Sequence, residues 1–492
     1  EDPFAELELN SVQVVAVPIS SMVKDGLAEF ELDNKSALRC KNMFALGLVC
    51  WLFERPLEEA MHMLQNKFAK KPAIVKANIK ALTDGYNYGH NTHATVSTYR
   101  IESTTVEPAY YTDVNGNKAT SYGLIAAAEK AGLRLFLGSY PITPATDILH
   151  ELAKRKDLGV ITVQAEDEIA GICTAIGASF AGCLAATSTS GPGLALKGEA
   201  IGLAVISEIP LVVIDVQRGG PSTGMPTKSE QTDLMQALYG RNGESPAVVL
   251  AASTPTDCFD AAFWAGKLAV EHMTPVILLT DSFIANGSSA WKIPDLDTYP
   301  SITPNYVTNY KEEAPWKPYR RDKDSLVRYW AIPGMNEFMH RIGGLEKDYE
   351  TSAISTDPAN HQKMVNVRQA KIDKIADYIP EQEVCGDKDA ELLVIGWGGT
   401  YGHLYEAMED MQAEGKKVAM AHFKFIQPLP KNTAELISRY KKVVVVEQNN
   451  GQFANYLRGK IPGFNPFQFN RVKGQPFVVA RLVEELTKIL EA

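Results

Sequence analysis

The sequence predicts an α/β protein of three consecutive blocks, the central one a parallel sheet with helices on both faces. Three observations frame this. The chain has 492 residues, enough for about three domains of ~150 residues each. Its composition, 45% hydrophobic and 22% charged, is that of an ordinary globular protein with ample core-forming material. The third is the pattern between about residues 121 and 294, where short apolar runs alternate with helix-like segments. Such alternation is the signature of a parallel sheet connected by crossover helices.

In the first block (1–95), Ser11 to Pro18 reads as a strand, Asn42 to Phe53 as a buried helix, and Leu57 to Lys70 as an amphipathic helix with a basic end. The stretch from Asp84 to Asn117 is rich in Gly, Asn, Thr and Tyr and reads as a linker, assigned as 96–119. In the central block (120–294), the strands are Arg134 to Leu137, Val160 to Val163, Cys183 to Thr187, Leu211 to Val216 and Val276 to Leu279. An excursion follows over 295–379, rich in Pro, Tyr and charge, with a helix from Asn360 to Tyr378. The last block (380–492) has strands Leu392 to Gly396, Lys417 to His422 and Lys442 to Glu447, and helices Tyr401 to Glu414 and Pro476 to Glu491.

Charge and cysteine usage narrow the partners. The net charge of -10, with no long Lys/Arg run, argues against nucleic acid. No run of 18 apolar residues predicts a membrane span, and Glu1-Asp2-Pro3 lacks both a basic and an apolar leader segment, so a soluble cytoplasmic protein is expected. The missing initiator Met leads us to expect an upstream piece beyond this start. Cys40, Cys50, Cys173, Cys183, Cys258 and Cys385 form no C-x-x-C pair and read as free thiols, mostly in apolar surroundings. An iron–sulfur cluster needs about four convergent thiolates. None is expected in this chain, nor any metal.

The chemistry concentrates in four loops within about 85 residues, each following an expected strand. They are Tyr140-Pro-Ile-Thr-Pro-Ala-Thr146, Glu166-Asp-Glu168, Thr189-Ser-Gly-Pro-Gly193 and Gln217-Arg-Gly-Gly-Pro-Ser-Thr223. The carboxyl ends of parallel strands are where such sheets bind ligands. One loop of this composition is explained by turn chemistry alone; four in succession are not.

These residues carry a resemblance. Glu168-Ile-Ala-Gly171, continuing through Ala175, Gly177 and Ala181-Gly182 to Thr189-Ser-Gly-Pro-Gly193, is similar to the pyrimidine-binding domain of thiamine-diphosphate enzymes. Tyr140-Pro-Ile-Thr-Pro144 with Arg218-Gly-Gly-Pro-Ser-Thr223 resembles the narrower family of 2-oxoacid:ferredoxin oxidoreductases. The first block resembles that family's γ-type domain, fused ahead of the α-type domain as in its two-subunit members. The Gly-rich loop that opens the γ-type domain is absent, which agrees with a truncated start. The last block resembles a transketolase C-terminal domain.

The resemblance implies roles residue by residue. Glu168 bonds the thiamine pyrimidine nitrogen, with Glu166 as the fallback, and a carboxyl buried among Ile169, Ala170 and Ile172 is expected to titrate high. Tyr140, Pro141, Ile142, Thr143, Gly191, Pro192 and Gly193 line the cofactor. Arg218 grips the α-carboxylate of a 2-oxoacid in a bidentate fork, and Thr143 donates to the reacting carbonyl. Ser222 and Thr223 are substrate donors, and Lys228, aided by Thr227, meets a distal carboxylate. Plainer alternatives exist for each: first-turn charge placement for Glu168, a strand-end salt bridge for Arg218, a helix N-cap for Thr143, turn architecture for Ser222 and Thr223, and a solvated loop lysine for Lys228.

Thiamine enzymes of the complete kind carry a Gly-Asp-Gly motif for Mg²⁺ and the diphosphate, and this chain has none. The resemblance therefore implies a β-type partner that supplies Mg²⁺, the diphosphate contacts and at least one [4Fe-4S] cluster, in an α2β2 assembly that reduces ferredoxin. Members with the fused γ-type domain and Gly-Gly-Pro-Ser-Thr-Gly-Met-Pro-Thr-Lys are usually assigned to 2-oxoglutarate. The implied activity is its reversible oxidative decarboxylation to succinyl-CoA, with coenzyme A as co-substrate. The same chemistry on pyruvate or a branched-chain or aryl 2-oxoacid stays open, as do a non-oxidative thiamine lyase or synthase and a binding-only role. Gly396-Trp-Gly-Gly399 lacks dinucleotide spacing, and Glu447-Gln-Asn-Asn-Gly-Gln452 is a candidate coenzyme A contact.

Overall fold

The computed structural model describes residues 13–92, 95, 97–100, 102, 105–310 and 315–492. The chain divides into two compact units, Glu1–Pro108 and Ala109–Ala492.

The regular elements among the first unit's described residues are all helices. Asp33 caps the helix Asn34–Arg39 by accepting from the amides of Lys35 and Ser36. The helices Lys41–Leu52 and Pro72–Thr92 pack together, and Phe44 of the first meets Tyr88 of the second. Of the strand expected over Ser11 to Pro18, residues 11 and 12 lie outside the described residues, and 13–18 pair with nothing in a sheet. The linker expected from Asp84 is also corrected. Helix runs through it to Thr92, because Ala77, Ala81, Leu82 and Gly85 bury one continuous face whatever the loop-like composition. At its other end, the strand Tyr111–Asn115 and the helix Gly116–Ala131 already belong to the second unit.

The second unit carries all the strands of the described residues. In chain order its first part holds β1 (Tyr111–Asn115), β2 (Leu135–Ser139), β3 (Ile161–Gln164), β4 (Leu184–Thr189), β5 (Leu211–Gln217), β6 (Val248–Ala251), β7 (Pro275–Asp281) and β8 (Ser288–Lys292). Its last part holds β9 (Cys385–Gly386), β10 (Leu392–Trp397), β11 (Val418–Phe423), β12 (Phe425–Gln427), β13 (Lys442–Glu447) and β14 (Phe467–Asn470). The central sheet runs β12-β6-β7-β5-β4-β2-β3 and is parallel except for β12. The second sheet runs β14-β13-β10-β11-β9, parallel except for β9, and β1 pairs with β8 in a separate ribbon.

All residues of β4, β5 and β7 are buried, as expected for strands covered on both faces. On one face, Leu137, Ile214 and Leu278 pack against the helices Gly116–Ala131 and Asp257–His272. On the other, Ala185, Val213 and Ile277 share a core with Leu393, Ile395 and Phe423 of the second sheet. The two sheets are thus halves of one body. Strand β12, which sequence reading missed, makes the union covalent: the chain leaves the second sheet at Phe423 and immediately pairs with β6 of the first.

The 295–379 excursion is pinned by a buried carboxylate. Glu208 follows the helix Gly198–Ser207 in a left-handed conformation and is 1% exposed. Arg321 forms a bidentate pair with its Oε1, Lys371 Nζ lies 2.9 Å from its Oε2, and Arg328 Nε donates to its carbonyl at 3.1 Å. Burial by itself would raise this carboxyl, but the two cations outweigh it and bring the pKa down to about 2. A folded-state value below the usual 4.5 means that the stabilisation is fully present above pH ~4.5 and is lost as pH falls toward 2. We expect Glu208→Gln to destabilise the chain by about 3–5 kcal/mol in urea unfolding, because it strands two buried cations. The variant should also lose the wild-type decline in stability between about pH 4.5 and 2 that belongs to this group.

Candidate active site

The order of the central sheet creates the crevice. From β2 the chain passes to β3 on one side and returns through β4 on the other, so the loops leaving β2 and β4 diverge at their carboxyl ends. Register sets which residues meet there. Ser139, the last residue of β2, places its hydroxyl 2.7 Å from that of Ser188 in β4, and Thr189 lies opposite Asp215 of β5. The residues that follow these strand ends open into the crevice: Tyr140, Ser190 to Gly193, and Arg218.

Asp167 caps the helix Glu168–Phe180, its carboxylate accepting from the Ala170 amide at 2.8 Å, so Glu168 is the first helical residue. With Asp167 committed to the cap and Glu166 exposed, Glu168 is the acid held against the crevice. The Tyr140 hydroxyl feels the charge of the Glu168 carboxyl and lies 3.0 Å from Thr189 Oγ1. Burial is the main reason that the Tyr140 hydroxyl ionises far above its ordinary range, which keeps it a neutral donor. Gly193 permits this closeness. A Cβ there would fall 2.1 Å from Thr189 Oγ1, 2.4 Å from the Tyr140 hydroxyl and 2.8 Å from Glu168 Cγ. The expected apolar envelope is corrected: Ile172 is buried, but Ile169 is 48% exposed and Ala170 is exposed. Helical periodicity turns those two outward, so the Glu168 carboxyl is half-buried with an open flank.

Arg218 is 5% exposed at the end of β5, and its Nη1 donates to the Thr143 carbonyl at 2.6 Å. No ion pair holds it among the described residues, and its Nε has no partner there, so the salt-bridge alternative is not formed. Nor does Thr143 cap a helix: Thr146–Ala153 begins after Ala145 without a side-chain cap, and the exposed Thr143 hydroxyl is free of that duty. Of its neighbours, Pro141 is exposed and Ile142 half-buried. A cavity of about 720 Å³ opens beside Arg218, walled by Gly191, Pro192, Pro221, Ser222, Glu230 and Asp233 among others. Tyr140 feels the charges of both Glu168 and Arg218, so acid and guanidinium flank one hydroxyl.

From Arg218 the chain forms a closed loop, with the Gly219 amide donating to the Lys228 carbonyl at 3.0 Å and the Met225 amide to the Gly219 carbonyl at 2.7 Å. Ser222, Thr223 and Lys228 are all exposed on it, and of the three only Ser222 reaches the cavity wall. The Lys228 stem lies against Gly474 of the last block. Beyond the loop, Gln231 enters the crevice of the second sheet, where β10 and β13 diverge. Its Nε2 donates to the Trp397 carbonyl at 2.6 Å and its Oε1 accepts from the Gln448 amide at 3.0 Å. Asn449 Nδ2 donates to the Gln231 carbonyl at 2.7 Å. Of the segment expected to contact coenzyme A, Glu447, Gln448 and Asn449 are buried, and Asn450 is exposed.

Sequence reasoning missed three groups here. Lys197 is fully buried; its Nζ donates to the Glu168 carbonyl at 2.7 Å and to Thr187 Oγ1 at 3.1 Å, and burial lowers its pKa to about 8. Asp215 and Asp233 are buried carboxyls that act on each other's protonation, and Asp233 lines the same cavity as Arg218. The available signals were a lysine closing the apolar run Leu194-Ala195-Leu196 and an aspartate inside the otherwise apolar β5. The cysteine expectation shifts too: Cys40, Cys50 and Cys258 are buried, but Cys173 is exposed on the Glu168 helix. Among the described residues, no group of three or more His, Cys, Asp or Glu is placed to hold a metal ion, and no helix is long and apolar enough to cross a membrane.

A switch-point crevice holding a helix-initial glutamate, a glycine floor and a buried arginine defines a thiamine-diphosphate pyrimidine-binding chain of the α/β class, and the comparisons agree. Residues 126–357 match the thiamine-diphosphate-binding family of pyruvate flavodoxin/ferredoxin oxidoreductases, 1–88 the pyruvate ferredoxin/flavodoxin oxidoreductase family, and 384–454 the transketolase C-terminal domain. The 2-oxoglutarate oxidoreductase subunit KorA of Mycobacterium tuberculosis is 49% identical over 100% of this chain and 74% of its own length. Subunit alpha of 2-oxoacid:ferredoxin oxidoreductase 1 from Aeropyrum pernix is 30% identical over 97% of this chain and 75% of its own. The structure of 2-oxoglutarate:ferredoxin oxidoreductase from Magnetococcus marinus, solved with 2-oxoglutarate, coenzyme A and succinyl-CoA bound, superposes with a TM-score of 0.86 at 34% identity. It covers 97% of this chain and 80% of that one. The chain belongs to the 2-oxoacid:ferredoxin oxidoreductase family, as an α-type subunit.

The crowding at Gly193 makes a prediction. Gly193→Ala adds one methyl where three site groups converge, so we expect the fold to persist by circular dichroism while turnover of the assembled complex falls by roughly tenfold to a hundredfold.

Proposed function

We propose that this chain is the substrate-activating subunit of a 2-oxoglutarate:ferredoxin oxidoreductase, which oxidatively decarboxylates 2-oxoglutarate to succinyl-CoA in a reversible reaction. The observation that carries the reading is the likeness, at 34% identity over 97% of the chain, to a structure solved with those very compounds bound. A β-type partner completes the enzyme. In our reading it supplies Mg²⁺, the diphosphate contacts and a [4Fe-4S] cluster, passes electrons to ferredoxin and assembles as α2β2. Six cysteines with no disulfide among them fit a reducing cytoplasm.

The residues present fit the pyrimidine half of the cofactor: Gly193 lets Tyr140, Thr189 and Glu168 converge, and the buried Ser190 Oγ and Arg218 Nε lack partners among the described residues. When bound, thiamine diphosphate supplies the nucleophilic carbon and the electron sink for loss of CO₂. Glu168 holds the proton at the pyrimidine nitrogen, oriented by the Tyr140 hydroxyl, while Tyr140, Pro141, Ile142, Gly191, Pro192 and Gly193 line the ring. Arg218 binds the α-carboxylate through its free guanidinium edge, with Nη1 already fixed by the Thr143 carbonyl. The Thr143 hydroxyl donates to the substrate carbonyl, Ser222 donates from the cavity wall, and Thr223 and Lys228 act from the exposed loop, Lys228 on the distal carboxylate.

Two measurements test these roles. Glu168→Gln keeps size and hydrogen bonding but cannot exchange the proton, so deuterium exchange at thiamine C2 in the complex should slow by about 100-fold. The same slowing from Glu166→Gln, with Glu168→Gln unaffected, would move the role to Glu166. Arg218→Ala should impair every 2-oxoacid alike. Lys228→Ala should lower kcat/KM for 2-oxoglutarate by roughly tenfold, the worth of one charged hydrogen bond, and spare 2-oxobutyrate. Equal losses on both substrates would return Lys228 to loop architecture.

A further inference from the structure

Asp215 lies inside β5 and is fully buried; Asp233 lies just before the helix Leu234–Tyr239 and walls the cavity beside Arg218. Each carboxyl bears on the other's protonation, and burial is the main reason that both titrate high. Neither oxygen of Asp215, nor Oδ2 of Asp233, finds a hydrogen-bond partner among the described residues. Gly191 makes room for this, since a Cβ there would fall 2.5 Å from Asp233 Oδ2 and 2.6 Å from Oδ1. Two neighbouring carboxyls buried inside a protein cannot both ionise, so at least one proton stays with the pair. The charged groups that face the pair are Arg218, across the cavity, and Glu230, which is 5% exposed on the loop that carries Asp233.

We propose that the Asp215–Asp233 pair is a proton-linked counter-charge for Arg218: it is an anion when the cavity is empty and takes up a proton when a substrate carboxylate occupies the guanidinium. This deepens the proposed function and rests on its reading of Arg218. The reasoning is electrostatic. With Arg218 otherwise unpaired, the negative charge of the pair helps to hold the guanidinium in a site only 5% exposed. An arriving carboxylate replaces that role and adds an anion beside the pair, where burial leaves little solvent to screen it. The shared charge is then unfavourable, and a proton from solvent neutralises it. Burial chiefly, opposed by Asp215 and by Arg218 and reinforced by Glu230, sets Asp233 at about 6 in the empty site. The pair is thus neutral below that pH and anionic above it, and uptake on binding operates on the alkaline side. The two aspartates act through Arg218 and are positioning residues.

The test uses the complete complex with its partner subunit and thiamine diphosphate. Calorimetric binding of 2-oxoglutarate to wild type, in phosphate and in Tris at pH 7, should show uptake of close to one proton, and no uptake overturns the proposal without any variant. KM for 2-oxoglutarate should be flat below pH ~6 and rise by up to about tenfold per unit above it, while kcat changes less. In Asp233→Asn, and separately in Asp215→Asn, the uptake and the slope of KM should both vanish. Comparable melting temperatures establish that each variant is folded. A wild-type slope in both folded variants overturns the proposal. Arg218→Gln separates the two readings: an unchanged KM there removes the carboxylate role of Arg218 itself. A raised KM there, with the slope intact in the aspartate variants, removes only the pair.

Discussion

Parallel pairing of β2, β4 and β5 in a single register is the constraint on which the site depends. Side chains alternate across a strand, so a slip of one residue would carry Thr189 and Asp215 to the opposite faces and exchange buried apolar residues for polar ones. In the observed register Ser139 meets Ser188 and Thr189 meets Asp215. Each strand then delivers its next residues to the same crevice, and Tyr140, Gly193 and Arg218 become neighbours although 78 residues separate the first from the last. The helix Glu168–Phe180 adds the acid from the far side, its start defined by the Asp167 cap.

The second sheet has a switch-point crevice of its own, and the chain fills it. Gln231 donates to the loop after β10 and accepts from the loop after β13, where Gln448 and Asn449 are buried. A position that binds ligands in many open α/β sheets serves here to anchor the far end of the loop that begins at Arg218. Together with β12, whose pairing to β6 ties the two sheets edge to edge, this makes the last block a support for the loop that begins at Arg218.

Two buried acidic centres in the same unit are neutralised by different means. Glu208 keeps its charge because Arg321 and Lys371 reach it from the excursion, which is thereby drawn against the central sheet. Asp215 and Asp233 have no cation paired with them among the described residues, and burial raises both carboxyls instead. The first arrangement serves the architecture of an irregular segment. The second borders the cavity, where a change in local charge accompanies any anionic ligand.

The α/β class, five central strands, the three strands and two helices of the last block and the four loops of the crevice were legible from the sequence, because apolar periodicity and Gly/Pro punctuation are local signals. So was the placement of Glu168 and Arg218 at the crevice, because each follows a strand. The helical continuation through Asp84 was not legible, since tertiary burial of one face overrode a loop-like composition. The three-residue β12 was too short to show a period, and it pairs with a strand more than 170 residues earlier. Equally, nothing local tells that Gln231 would enter a crevice made by Trp397 and Gln448, that Lys197 would lie under Glu168, or that Asp215 and Asp233 would act on each other's protonation. The sequence by itself determined the kind of site and the segments that compose it. Which polar groups meet inside it, and hence where charge and protons reside, was decided only by strand order and register, because those contacts join residues that no local pattern connects.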